Sequence, residues 1–210
     1  MSTYNNKSLL RKNAMKIGIY GGSFNPIHRG HMQLASALLD RKLVDELWLL
    51  VSPLNPLKDG VSNDIAAYEH RLHMAQLAAD DVPHVRVSDF ERHLPLPSYM
   101  VNTLSELSAA YPQHTFVLII GADNWANFHS WHCYEKILNA YDIMIYRRPG
   151  CDIDETSLPR SVSMVEAELY DISSTQIRAS IRDDAFLREW LDDKVLDYIK
   201  DHSLYGLQCP

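Results

Sequence analysis

Two histidines three residues apart, His28 and His31, follow a Gly-Gly-Ser turn in the stretch Tyr20-Gly21-Gly22-Ser23-Phe24-Asn25-Pro26-Ile27-His28-Arg29-Gly30-His31. Glycines let a backbone approach a ligand closely, and the unpaired N–H groups of a helix start attract anions. Histidines one turn apart on such a helix share a face, and each ring can donate a hydrogen bond to a phosphate oxygen. A phosphate beside them would favour the protonated imidazole. The chemistry read here is phosphate binding. His70/His73 and His129/His132 repeat the spacing without a glycine turn, and read as solvated or core helix faces. Neither G-x-x-x-x-G-K-[ST] nor G-x-G-x-x-G occurs in the chain.

A second constellation is Ile172-Ser173-Ser174-Thr175-Gln176-Ile177-Arg178, with hydroxyls at a helix start and an arginine one turn in. Hydroxyls, backbone N–H groups and the fixed guanidinium fork suit a second phosphate contact. Taken alone, it reads more readily as an ordinary serine N-cap followed by a surface arginine.

The elements that must position these residues alternate. Lys16–Tyr20, Glu46–Ser52 and Thr115–Ile120 are continuous apolar runs, as strands covered on both faces require. Val85 with Val87, and Asp142–Tyr146, read as further strands. Helical periodicity marks Met32–Leu39, Ala66–Ala79, Met100–Tyr111 (with Ser98 as its cap), Trp131–Ala140, Ser174–Arg182 and Asp184–Lys200. Pro53–Asn63 and Asp89–Pro97 read as loops, and signals are weak after Gly150 up to Leu169. Such alternation means α/β: one Rossmann-like domain, a parallel sheet with helices on both faces. Ligands of such sheets sit beyond the carboxyl ends of the strands. The Gly-Gly-Ser turn, the Pro53–Asn63 loop, Gly121-Ala122-Asp123 and Arg147-Arg148 should therefore converge on one edge.

With 210 residues and 46% of them hydrophobic, the chain can bury a sizeable core. A formal charge of -7 argues against nucleic-acid binding by bulk electrostatics. Cys133, Cys151 and Cys209 give neither a disulfide framework nor zinc spacing. No apolar run approaches the ~20 residues of a membrane span. Residues 1–14 are polar and basic without an apolar core, so they are read as an extension rather than a signal peptide. Met15 is a candidate start, the domain spans 15–210, and a cytoplasmic location is expected.

The stretch Gly21 to His31 resembles the signature Gly-Gly-(Ser/Thr)-Phe-(Asp/Asn)-Pro-x-His-x-Gly-His of the bacterial nicotinate-nucleotide adenylyltransferases, nucleotidyltransferases with a His-x-Gly-His motif. Ile172 to Arg178 is similar to a second stretch of that family, Ile-Ser-(Ser/Ala)-Thr-x-Ile-Arg, and Pro97-Ser98-Tyr99 followed by Thr103-Leu104 is similar to a third. Met100 departs from it, standing where the family usually has threonine. Gly121-Ala122-Asp123, Phe128-His129-Ser130-Trp131 and Arg147-Arg148-Pro149-Gly150 also fit, so the resemblance runs from Lys16 to about Tyr205.

The resemblance implies a nucleotidyltransferase-type fold and adenylyl transfer from ATP to nicotinate mononucleotide, with magnesium carried mainly by the ATP phosphates. His28, His31 and Arg178 would be catalytic. Gly21, Gly22, Ser23, Phe24, Gly121, Asp123, Ile172, Ser173, Ser174, Thr175 and Arg178 would bind ATP. Lys58, Ser98, Tyr99, Met100, Trp131, His132 and Arg148 would bind the acceptor, Trp131 by stacking on the pyridine ring. No protein metal ligand and no nucleic-acid or membrane partner are expected, and a homo-oligomer remains open. Each lesser match has a plain alternative: Trp131 as a core aromatic, Asp123 as a helix cap, Lys58 and Arg71 as surface charges, Cys133 as structural. Competing functions are transfer to another acceptor (phosphopantetheine, nicotinamide mononucleotide or a cytidylyl acceptor), a non-catalytic nucleotide-binding module, and a zinc protein.

Overall fold

A computed structural model describes residues 14–53, 65–167 and 170–207. Lys58 and the rest of the 54–64 segment lie outside the described residues, as do 1–13 and Cys209. Six parallel strands form one sheet: β1 (Lys16–Gly22), β2 (Glu46–Val51), β3 (Val85–Ser88), β4 (Thr115–Gly121), β5 (Asp142–Tyr146) and β6 (Val162–Val165), in the order β3-β2-β1-β4-β5-β6. The order reverses between β1 and β4. The crevice at their carboxyl ends is where ligands bind in sheets of this kind.

The helices are α1 (Arg29–Asp40), α2 (Tyr68–Ala79), α3 (Met100–Ala110), α4 (Ala122–Ala126), α5 (Tyr134–Ala140), α6 (Ser174–Ala179), α7 (Asp184–Trp190) and α8 (Asp193–Asp201). Successive strand residues point to opposite faces. Thus Leu47 and Leu49 of β2, with Val117 and Ile119 of β4, meet Leu34 and Leu38 of α1, Met74 of α2, and Val195 and Leu196 of α8. Trp48, Leu50, Phe116, Leu118 and Ile120 meet Leu104 and Leu107 of α3 and Ile137 of α5. Burial on both faces is why β2 and β4 are apolar throughout. No helix of the described residues is long and apolar enough to cross a membrane.

The structure corrects several expected elements. The helix expected at Trp131–Ala140 begins only at Tyr134, after the short α4 and a 3-10 turn at Phe128–Ser130. Cys133, with φ +51, breaks the run in between. The expected Asp184–Lys200 helix is two helices. The Asp192 side chain accepts the Lys194 N–H at 2.9 Å and caps a fresh start at Asp193. Ser98 does not cap α3; Tyr99 holds the N-cap position, without a side-chain cap bond. Strand β6 falls in the stretch of weak signal: only four residues, two of them buried.

Candidate active site

Two adjoining cavities open at the carboxyl ends of β1 and β4. The larger, about 770 Å³, is lined by the Tyr20–Asn25 turn, His28, His31, Gly121, Asp123, Arg148 and the Ile172–Arg178 segment. The smaller, about 180 Å³, is lined by Glu91, Ser98, Tyr99, Met100, Trp131 and His132, among others. Gly21, Gly22, Met100, Asn124 and Trp131 belong to both, so a glycine turn forms the shared wall. A Cβ on Gly21 would sit 2.9 Å from the Met100 Cε, leaving room there for hydrogen alone unless Met100 moves.

His28 is the N-cap of α1 and His31 its third residue, with ring centroids 3.7 Å apart. The His28 N–H donates to the His31 Nδ1 at 3.1 Å. An accepting Nδ1 puts the His31 proton on Nε2, which makes that atom a hydrogen-bond donor while the ring stays neutral. The ring packs against Tyr20 and Phe24, at centroid distances of 6.0 and 5.1 Å. His28 is buried, and its Nδ1 has no partner. It faces Gly30, where a Cβ would come within 3.1 Å of that atom and 2.8 Å of Ile172.

Protonated imidazoles, expected beside a phosphate, are not the state of the protein alone. Burial first, and then the Arg148 guanidinium, push His28 down to about 3. Burial, His28 and Arg148 hold His31 well below the usual histidine range. A neutral histidine in the fold and a free one in the unfolded chain bind unequal numbers of protons below pH ~6.5, the unfolded state binding more. Their burial therefore stabilises the fold fully above that pH, and the contribution is lost as pH falls toward 3. The melting temperature is expected to drop on going from pH 7.5 to 5, less steeply in a His28→Gln, His31→Gln double variant. Parallel melting profiles would contradict it.

Ser173 caps α6: its Oγ accepts the Gln176 N–H at 3.2 Å, while the Gln176 Oε1 accepts the Ser173 N–H at 2.7 Å. The Ser174 Oγ donates to the Pro26 carbonyl at 2.9 Å and the Arg178 Nη1 to the Asn25 carbonyl, also at 2.9 Å. The second constellation thus grips the first through its side chains, and the Ser174 and Thr175 N–H groups and the rest of the Arg178 fork are left for a ligand. The Ile172 side chain is buried in the core. So Ser173 is a capping serine, yet Arg178 is no surface residue: it lines the larger cavity.

Arg147 and Arg148 part company. Arg147 turns outward to ion pairs with Glu155 and Glu166. Arg148 lines the larger cavity, donates to the Tyr146 hydroxyl at 3.2 Å, and lies 3.9 Å from Asp123. Expected among the acceptor residues, it lines the larger cavity with His28 and His31, a cavity that Met100 and Trp131 also reach. In the smaller cavity His132 stacks on Tyr99 at 4.3 Å, so the His129/His132 pair shares no helix face. Ser98 Oγ and Trp131 Nε1 are buried there without partners. Trp131 packs 5.3 Å from Phe128 with part of its surface open to both cavities.

Several lining groups escaped the sequence reading. Glu91 is buried, accepts the Thr103 hydroxyl at 3.0 Å and is pushed up by burial. Tyr146 closes β5 with its hydroxyl 3.2 Å from that of Tyr20. Its place at a strand end just before the arginines was the one available signal. Asn25 is buried, and its Oδ1 accepts the Ala66 N–H at 3.0 Å and the Tyr205 hydroxyl at 2.9 Å. Among the described residues no group of three His, Cys, Asp or Glu side chains could hold a metal ion.

The family description "cytidylyltransferase-like" matches residues 19–180. A probable nicotinate-nucleotide adenylyltransferase of Bacteroides thetaiotaomicron is 43% identical, over 92% of this chain and 95% of its own. The chain belongs to the nicotinate-nucleotide adenylyltransferase family. A probable member from Shewanella pealeana is 33% identical over 91% of this chain and 96% of its own. The fold is also that of the Plasmodium falciparum nicotinic acid mononucleotide adenylyltransferase solved with NaAD. The TM-score is 0.78 at 21% identity, covering 93% of this chain and 99% of that one. Both cavities are lined wholly from within the span that the cytidylyltransferase-like description covers.

Proposed function

We propose that this chain transfers the adenylyl group of ATP to nicotinate mononucleotide, releasing pyrophosphate and giving deamido-NAD. The observation that carries it is the pair of cavities sharing a glycine wall. The larger offers histidines, Arg148, Arg178 and helix-start N–H groups to a triphosphate. The smaller offers an aromatic wall and unpartnered buried donors to a pyridine carboxylate. In-line transfer needs the acceptor phosphate and the ATP α-phosphorus side by side, and the shared wall supports that arrangement.

The acceptor's phosphate attacks the α-phosphorus, its oxygen forming the new bond as the bond to pyrophosphate breaks. No side-chain nucleophile is required, so the protein contributes positioning and charge stabilisation. His31 Nε2–H, the His28 ring, Arg178 and the turn backbone would hold the triphosphate and the departing pyrophosphate. Magnesium would arrive as part of the substrate, on the ATP phosphates.

A screen of candidate acceptors with magnesium and ATP, read by pyrophosphate release, tests the assignment. Release should be fastest with nicotinate mononucleotide. Release only with phosphopantetheine or a cytidylyl acceptor would replace the assignment, and none with any acceptor would favour a binding module. Arg178→Lys is expected to weaken ATP use roughly tenfold or more, with acceptor KM little changed, because lysine cannot both hold the Asn25 carbonyl and keep a second prong for phosphate. Unchanged ATP kinetics would reduce the Ser173–Arg178 segment to a capped helix.

A further inference from the structure

Arg71 on α2 reads in the sequence as a surface charge, but it is buried, 3% exposed. Its guanidinium donates to four backbone carbonyls: Ser23 at 2.7 Å, Ser52 at 2.9 Å, Ala66 at 3.0 Å and Pro53 at 3.3 Å. Among the described residues it forms no ion pair with a carboxylate. A buried cation without a counter-ion is costly. The four carbonyls take four of its five N–H groups, and its charge sits directly behind the glycine turn.

The first of those carbonyls decides what the charge can do. Ser23 and Phe24 both line the larger cavity. Their peptide bond is trans, so its carbonyl and its N–H point in opposite directions. With the Ser23 carbonyl fixed on Arg71, the Phe24 N–H is turned away from Arg71. No described backbone carbonyl accepts a hydrogen bond from it. Phe24 itself sits at φ +44, a left-handed conformation that bulky side chains seldom adopt and that the surroundings must hold. A positive charge on the carbonyl also polarises the peptide and strengthens its N–H as a donor.

We propose that Arg71 is a positioning residue of the triphosphate site: it locks the Ser23–Phe24 peptide with its N–H toward the phosphates and sets a buried positive charge behind them. This rests on the adenylyl-transfer function proposed above. Arg71 touches no substrate and acts through the turn.

The test begins with the wild-type protein and inorganic tripolyphosphate, which needs no acceptor. The Phe24 amide resonance should move downfield on titration. In Arg71→Lys, which cannot reach four carbonyls at once, that movement should shrink and the KM for ATP rise roughly tenfold. The acceptor KM should rise much less than the ATP KM, since the smaller cavity meets Arg71 only through the Ser52 carbonyl and not through the Ser23–Phe24 peptide. A Lys variant with wild-type ATP kinetics would overturn the proposal. So would equal losses for ATP and acceptor alongside a lowered melting temperature, the pattern of a purely structural role. Should the variant fail to fold, the wild-type titration decides: a Phe24 amide indifferent to tripolyphosphate sinks it. If the amide responds but wild type releases no pyrophosphate with any acceptor, the adenylyl-transfer function fails and the role of Arg71 in anion binding stands.

Discussion

Replacing His31 with alanine is expected to lower kcat by roughly 10²–10³-fold, the usual effect of removing one preorganised donor to developing charge. The Nε2–H is that donor, because the Nδ1 already accepts the His28 N–H at 3.1 Å and fixes the tautomer. The ring is wedged against Tyr20 and Phe24, so the donor needs no reorientation when charge moves onto the leaving pyrophosphate. Alanine also deletes a bond that helps start α1, so part of the loss could be structural. His31→Gln separates the two. A glutamine three residues after the N-cap can reach back to the N-cap N–H, restoring the melting temperature without the imidazole donor. Its turnover should stay low. Near-normal turnover in a folded His31→Ala protein would remove His31 from the chemistry.

Nicotinate mononucleotide is expected to be preferred over its amide by about a thousandfold in kcat/KM, the scale reached when a site built of hydrogen bonds meets an analogue that cannot complete them. The smaller cavity holds two buried polar atoms without partners, Ser98 Oγ and Trp131 Nε1, and both can donate. The Tyr99–Met100 backbone at the start of α3 adds unpaired N–H groups. A carboxylate accepts from all of these, whereas an amide NH₂ turned toward them leaves donors unpaired at about 1–3 kcal/mol each. Trp131→Ala should weaken both acceptors and spare ATP, since stacking does not sense the carboxyl group. Trp131→Phe is the sharper variant. It keeps a ring and removes the N–H, so acid preference should shrink more than overall acceptor use. Equal use of acid and amide by the wild type would refute an acid-specific pocket and direct attention to Met100.

The alternation of apolar runs made the parallel sheet legible because strands covered on both faces admit few polar residues, as in β2 and β4. The glycine turn before His28 was legible for a related reason: local geometry there demands particular residues at particular offsets. What escaped depends on distant partners. Arg71 looks like any helix arginine until carbonyls 48, 19 and 18 residues away close around it. Glu91 lies in a charged loop sequence, and its burial follows from α3 folding over it, with Thr103 twelve positions on. Arg148 was expected with the acceptor residues, and only the reach of its side chain past Tyr146 brings it toward the histidines. The break between α7 and α8 rests on one aspartate cap inside an otherwise helical pattern.

The bond from the Tyr205 hydroxyl to Asn25 joins residues 180 positions apart. Asn25 in turn holds Arg178 through its carbonyl, so the turn after β1, the Ile172–Arg178 segment and Tyr205 are tied together at one residue. Tyr205 therefore bears on the larger cavity without lining it, and losing its hydroxyl would loosen the Asn25 side chain by about 1 kcal/mol.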